Sequence, residues 1–306
     1  MKRIALYLLA TLILNPAFLT SGQAQSTKLT IGRSVGNDAL PLIIAKEKDI
    51  FARHGLDVTL LSIPVPSNIG PSLISGSLQI GGGTPISMLQ AAEAGLRFKV
   101  VTGGTRYRAD NPSTGLLSRS GISVTKPADL VGKKVAVPGL NSGNYMLLLK
   151  WLKDAGVPAE RVTFVEAPVP SMGDMLKGGT IDVAVINDPN RSRIVAAGNA
   201  VMSVPFVAEI NPDIVNIFWI ANEKWANTNK EAVQRFRAAV AEALTWMAQN
   251  PAEAEDIEKR TLGSSSPRLP PYSQNVSVGD LRFYENLGRE LGFLQNAQNL
   301  DQMVPD

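Results

Sequence analysis

The 306-residue chain has no cysteine and a single histidine, His54. With no cysteine there can be no disulfide, no thiol nucleophile, no sulfur ligand for a metal and no lipid-bearing cysteine. An exported chain of this composition has to be held together by its core. His54 stands in the run Phe51-Ala52-Arg53-His54-Gly55, where a helix stops at glycine and a cation suits the helix dipole. A metal site lacks histidine material, and a Ser-His-Asp triad would have to use His54 with no GxSxG elbow to accompany it. Charge of one sign is not concentrated: 30 Lys and Arg face 27 Asp and Glu with no dense basic block, so the pI of about 9.1 is no nucleic-acid footprint. Gly81-Gly82-Gly83 follows a strand-like run without matching GxGxxG, and there is no Walker loop. Chemistry therefore has little to work with, and neither enzyme activity, metal nor cofactor is expected.

Long apolar runs are also missing. The first 24 residues hold Lys2-Arg3, then a short apolar stretch from Ile4 to Leu14, then Gly22-Gln23-Ala24. That order is expected of a secretory signal peptide cleaved before Gln25, and the stretch is short for a membrane span. Removing Lys2 and Arg3, with no acids beside them, would lower the formal net charge from +3 to +1. Charged residues at 19% and hydrophobic residues at 44% fit a folded soluble protein, here expected in the periplasm.

The remaining chain alternates strand and helix signals. Lys28–Gly32, Asp57–Leu61, Leu78–Ile80 and Phe98–Thr102 read as strands, with helices over Pro41–Arg53, Pro71–Gly76 and Pro85–Ala94 between them. Thr84 is the expected cap of the last helix, with Pro85 at its first position. This βαβαβ order predicts a parallel sheet covered by helices. The pattern breaks at Thr102–Pro112. A second βα set spans about 120–205, with strands at Gly115–Ser118, Val135–Val137, Val162–Glu166, Ile181–Ile186 and Val201–Val204. An apolar strand at Val215–Ile220 then returns. Helices follow over 229–249, from Pro251 (capped by Asn250) to Gly263, and over 278–291. Trp219 on the return strand either lines a site or packs the core.

One stretch stands out. Val135-Ala136-Val137 leads through Pro138-Gly139-Leu140 to Asn141-Ser142-Gly143-Asn144 and an apolar helix. A strand, a tight turn and a helix start leave backbone N–H groups without helix partners, a setting that attracts negative charge. There is also an echo. LISGSLQI leads to Thr84-Pro85, and LKGGTIDV leads to Asp188-Pro189; either two similar lobes share this design or common α/β punctuation recurs.

Several segments resemble one family: LTIGRSVGNDALPLIIAKEKDIFARHGLDVTLL, LISGSLQIGGGTPISMLQAAEAGLRFKVVTGG, ISVTKPADLVGKKVAVPGLNSGNYMLLLKWLKDAGV, MLKGGTIDVAVINDP and NKEAVQRFRAAVAEALTWMAQNPAEA. In this order they are similar to periplasmic substrate-binding proteins of ABC importers for sulfonates, taurine, nitrate and thiamine precursors, the NMT1/SsuA/TauA-like group. The resemblance implies an α/β, type II periplasmic binding protein fold, with two βα lobes, a ligand cleft and two hinge crossovers. Lobe one would hold residues 25–110 and 212–306, and lobe two 111–211, with hinges at Thr102–Pro112 and Pro205–Val215. It implies a monomer that closes on a small organic anion or zwitterion and docks on an ABC permease and its ATPase at the inner membrane. A neutral pyrimidine-like ligand, an enzyme of the same fold and a sensory module are the alternatives.

By position, the resemblance places Asn37, Asp38 and Thr84 of lobe one, and Ser142, Gly143 and Asn144 of lobe two, at the ligand. Asp188 matches a turn that in taurine-type binders carries an acid able to hold an amine, although Asn187 stands where an aromatic is common. Arg106 and Tyr107 lie near the crossover, where a guanidinium could grip a carboxylate or sulfonate. Each has a plainer reading too: Thr84, Ser142 and Asn144 as caps, Asp188 as a turn residue, Arg106 as a loop cation.

Overall fold

The computed structural model describes residues 26–64, 68–202 and 204–304. The expected signal segment, 1–24, lies outside the described residues. The chain first forms β1 (Thr27–Arg33), α1 (Leu40–Glu47), α2 (Ile50–Arg53), β2 (Leu56–Ser62), α3 (Ile69–Ser75), β3 (Ile80–Gly83), α4 (Pro85–Glu93) and β4 (Phe98–Arg108). It continues through β5 (Thr114–Ser118), β6 (Lys134–Val137), α5 (Gly143–Asp154), β7 (Thr163–Glu166), α6 (Val169–Lys177), β8 (Val183–Asn187), α7 (Asn190–Ala196) and β9 (Val201–Met202). It returns by α8 (Val207–Ile210), β10 (Asp213–Asn222), α9 (Glu223–Thr228), α10 (Lys230–Gln249), α11 (Pro251–Leu262) and α12 (Val278–Glu290).

These elements build two five-stranded sheets, ordered β2-β1-β3-β10-β4 and β7-β6-β8-β5-β9. In each sheet four strands share one direction and a single strand, β10 in the first and β5 in the second, runs against them. Parallel pairing needs crossover helices, which is why buried β-branched runs alternate with amphipathic helices in the sequence.

Three apolar clusters fill the layers. One packs α1 and α10 on the first sheet through Leu42, Ile31, Trp219, Phe236 and Val240. Trp219, at 2% exposure, is therefore core. A second covers one face of the other sheet with Met172, Leu176, Ile186 and Ile194. The largest is shared: Ile86, Leu89, Phe218 and Tyr284 from the first sheet's side meet Met146, Leu147 and Trp151 of α5. Each such side chain stabilises the fold by roughly 1.5–3 kcal/mol on burial.

Three departures from the sequence expectations have physical causes. The helix expected over 41–53 is broken in two at Asp49, which takes a left-handed conformation (φ 54°). Asn250 stands at the N-cap position of α11 but gives it no side-chain bond; its amide instead donates back to the Trp246 carbonyl, 2.8 Å away, closing α10. The break expected from Thr102 comes later, because β4 runs on to Arg108 against β10. A Cβ on Gly103 would sit 2.1 Å from the Ser273 carbonyl oxygen, and one on Gly104 2.5 Å from that of Ile217. Glycine here admits a close backbone approach, not a loop.

Candidate functional site

Ligands of open α/β sheets bind outside the carboxyl ends of the parallel strands. Four such ends converge where the two sheets meet. β1 ends in the turn Ser34–Asp38, and β3 passes directly into α4. Across the seam, β6 leads by a short turn into α5, and β8 leads by Asp188-Pro189 into α7.

The two longer helix starts face each other. A Cβ built on Gly143 would lie 3.9 Å from that of Thr84, at ordinary van der Waals contact, so the two starts come within one side chain of each other. Thr84 caps α4 through a capping box with Ser87, and Ser142 caps α5 by accepting the Tyr145 N–H at 3.2 Å. Both caps therefore form, and Gly143 and Asn144 keep N–H groups with no acceptor in the helix. α4 begins with proline and offers fewer donors. The α5 start is the stronger place for an anion, worth about 0.3–1 kcal/mol per exposed charge from the dipole.

Asn144 turns its side chain inward. Its Oδ1 accepts from the Tyr107 hydroxyl at 2.5 Å, and its Nδ2 donates to Asn187 Oδ1 at 3.2 Å, which also accepts from Thr114 Oγ1 at 2.7 Å. This buried chain joins β4 of the first sheet to α5, β8 and β5 of the second. Burial pushes the Tyr107 hydroxyl well above the usual phenol range, and the nearby Asp38 charge acts in the same direction. Tyr107 thus stays a neutral donor.

On the other wall, Asn37 and Asp38 are both buried. Asn37 Nδ2 donates to Ser266 Oγ at 2.8 Å, and its carbonyl accepts from the Tyr272 hydroxyl at 2.7 Å. Ser266 in turn gives its Oγ–H and its N–H to Glu258, at 2.6 and 3.0 Å. Asp38 Oδ1 accepts from Ser34 Oγ at 2.6 Å, and Oδ2 has no partner. Burial raises the Asp38 carboxyl above the usual range, partly offset by Ser34, its own backbone N–H and the Arg33 charge.

Two expected site residues have other partners. Arg106 donates to Asp213 at 2.6 Å and to Asp280 at 2.9 Å, tying β4 and β10 to the first turn of α12. Neighbouring carboxylates already occupy the fork that was expected to grip a ligand. Asp188, 1% exposed, takes Arg191 on both oxygens, at 3.3 and 2.6 Å, and Ser192 Oγ and N–H on Oδ1, at 2.7 and 3.2 Å. Those partners lie three and four residues on, a spacing visible in the sequence. The structure brings Asn37, Asp38, Thr84, Tyr107, Ser142, Gly143 and Asn144 to the seam. It adds residues that the sequence reading missed: Ser34, Asn190, whose Nδ2 reaches the Val35 carbonyl at 3.4 Å, and Arg193, whose Nη2 reaches Asn190 Oδ1 at 3.0 Å. The i, i+3 spacing of Asn190 and Arg193 after the Asp-Pro turn was the available signal.

Two parallel-rich sheets, joined by paired crossovers and meeting at their strand ends, define the periplasmic binding protein fold. The alkanesulfonate-binding protein SsuA from Xanthomonas axonopodis pv. citri, solved bound to MOPS, shares it with a TM-score of 0.76 at 20% identity, over 92% of this chain and 99% of that one. So does the desulfurization enzyme DSZB, with a TM-score of 0.66 at 15% identity over 91% of this chain and 96% of that one, so the fold also carries catalysis elsewhere. The family model described as NMT1/THI5 like matches residues 37–254, and the chain belongs to that family. Its relatives include the taurine-binding periplasmic protein of Escherichia coli (strain K12), 24% identical over 84% of this chain and 79% of that protein. The nitrate/nitrite binding protein NrtA of Nostoc sp. (strain PCC 7120 / SAG 25.82 / UTEX 2576) is 23% identical over 91% of this chain and 68% of that protein.

Proposed function

We propose that the chain is the periplasmic solute-binding component of an ABC importer, which closes on a small organic anion or zwitterion of the sulfonate or carboxylate class. The observation that carries this reading is the meeting of the α4 and α5 starts, from different sheets, at Thr84 and Gly143. Half of an anion site on each of two bodies is useful only if the bodies come together. Residues 25–110 with 212–306 form one lobe in this reading and 111–211 the other, moving about the crossovers. The closed form then docks on a membrane permease served by an ATPase. The relatives, named as binding proteins for taurine and for nitrate or nitrite, support a binding role. A charge-assisted hydrogen bond contributes roughly 1.5–3 kcal/mol. Three or four of them, less the cost of closure, suffice for micromolar binding at about −8 kcal/mol.

The test uses the cap of α5. Thermal-shift and calorimetric titrations of the whole chain with taurine, ethanesulfonate, β-alanine and propanoate should find at least one that raises the melting temperature. Ser142→Leu removes the cap oxygen and fills the seam. It should weaken that binding by about tenfold or more and still melt cooperatively. Equal affinity in Ser142→Leu would take the α5 start out of the site.

A further inference from the structure

Among the described residues, three buried side-chain polar atoms have no hydrogen-bond partner: Asp38 Oδ2, Thr102 Oγ1 and Arg193 Nε. Two of them belong to groups of opposite charge on elements that face each other. Asp38 lies in the turn after β1 and is 8% exposed. Arg193 lies one helical turn beyond Asn190 on α7. Asn190 Nδ2 donates to Val35 in the Asp38 turn, and Arg193 Nη2 donates to Asn190 Oδ1. Residues three apart share a helix face, so the face of α7 bearing Arg193 is the one turned to the Ser34–Asp38 turn. Buried polar atoms are paired almost without exception in folded proteins, and an unpaired one calls for a reason.

The nearby charges do not supply the missing partners. Arg33, at the end of β1, gives Nη1 to the Ser34 carbonyl and acts on Asp38 through its charge alone. Tyr272 spends its hydroxyl on Asn37, and Tyr107 spends its own on Asn144. Asp188, the acid at the turn associated with amine binding, is closed by Arg191 and Ser192.

We infer that the site is built for a zwitterion, with Asp38 Oδ2 accepting the ligand's ammonium or N–H donor and Arg193 Nε donating to its acidic group. This rests on the anion-or-zwitterion reading above and deepens it: the amine acceptor is Asp38 of the first sheet's wall, not Asp188. The two unpaired atoms would then acquire their partners together, one from each end of the same molecule. A group that is only anionic would leave Asp38 unpaired and set a negative charge beside it.

The test is a set of matched pairs: taurine against ethanesulfonate, and β-alanine against propanoate. Each is titrated calorimetrically into the whole wild-type chain, Asp38→Asn and Arg193→Gln. In the wild type the amine-bearing member of a pair should bind about tenfold or more tightly than its partner. Asp38→Asn should bring that ratio close to one by weakening the amine member alone. Arg193→Gln should weaken both members alike and leave the ratio. If ethanesulfonate or propanoate binds as well as its amino counterpart, or if the ratio survives Asp38→Asn, Asp38 is not the acceptor, and anion binding stands without it. If no member of either pair binds the wild type, the anion reading falls and this inference falls with it. Should Asp38→Asn lose its cooperative melt, the wild-type ratio together with Arg193→Gln decides.

Discussion

Arg191→Ala should cost about 3–5 kcal/mol of stability, the range for breaking one side of a buried ion pair. Asp188 and Arg191 are 1% and 6% exposed. Arg191 engages both carboxylate oxygens and also donates Nη1 to the Pro112 carbonyl at 2.8 Å. Truncation leaves an anion in the interior with only Ser192 for company, and a crossover carbonyl with nothing. Lysine should rescue little, because one ammonium cannot serve three directions as a planar fork does. Adding Asp188→Asn to Arg191→Ala should recover part of the loss by removing the stranded charge. Urea denaturation of the three variants at neutral pH measures this. A loss below about 1 kcal/mol in Arg191→Ala, the scale of an exposed pair, would show that the pair is not buried in solution.

Glu258→Ala should be the next most damaging change, at about 2–3 kcal/mol, since it strands two donors of Ser266 away from water. Its effect on binding should exceed its effect on the melt, because Ser266 holds Asn37 and Asn37 shapes the turn that carries Asp38. Glu258→Gln keeps one acceptor oxygen and should cost less. It also tests a pH dependence. Glu258 is raised by burial, partly offset by hydrogen bonds from Ser266 and Asn37, with the Asp188 charge adding to the rise; Tyr272 lies close enough to feel its charge. Asp38 is raised likewise by burial. Carboxyls with folded values above their unfolded ones bind more protons in the native state. Their contribution is complete below about pH 4 and is lost as pH rises through the raised values. Glu258→Gln should flatten that part of the stability profile. Glu242, held low by Arg53 and His54, works in the opposite sense and loses its contribution as pH falls. An unchanged slope in Glu258→Gln would mean that Glu258 titrates as an ordinary surface acid.

What could be read from the sequence was what is decided locally. Val135–Val137 followed by a polar turn and an apolar run specified β6 and α5, and Thr84-Pro85 specified the start of α4. The order of strands and helices pointed to parallel sheets covered by helices, and the family resemblance of the longer segments pointed to the two-lobed binding fold. Partners brought together by distant chain could not be read. Arg106 looked free because Asp213 and Asp280 lie far along the chain and meet it only through the β4–β10 ladder and the cap of α12. Gly103-Gly104 looked like a break because their close neighbours, Ser273 and Ile217, are equally remote. The Glu258–Ser266–Asn37 relay leaves no pattern at all, since each residue is common and only the fold aligns them.

The β4–β10 pairing continues through Arg108 and Asp213, and the Ala109 N–H then donates to the Pro212 carbonyl at 2.9 Å. The outgoing and returning crossovers therefore leave the first sheet as a single two-stranded ribbon. Such a ribbon bends across its face far more readily than it shears along the strand direction, where every step would break hydrogen bonds. In the closure proposed above, motion between the two sheets would therefore be channelled into one mechanical coordinate. Substitutions along the seam would then be expected to change which solute is held while the path of opening and shutting stays the same.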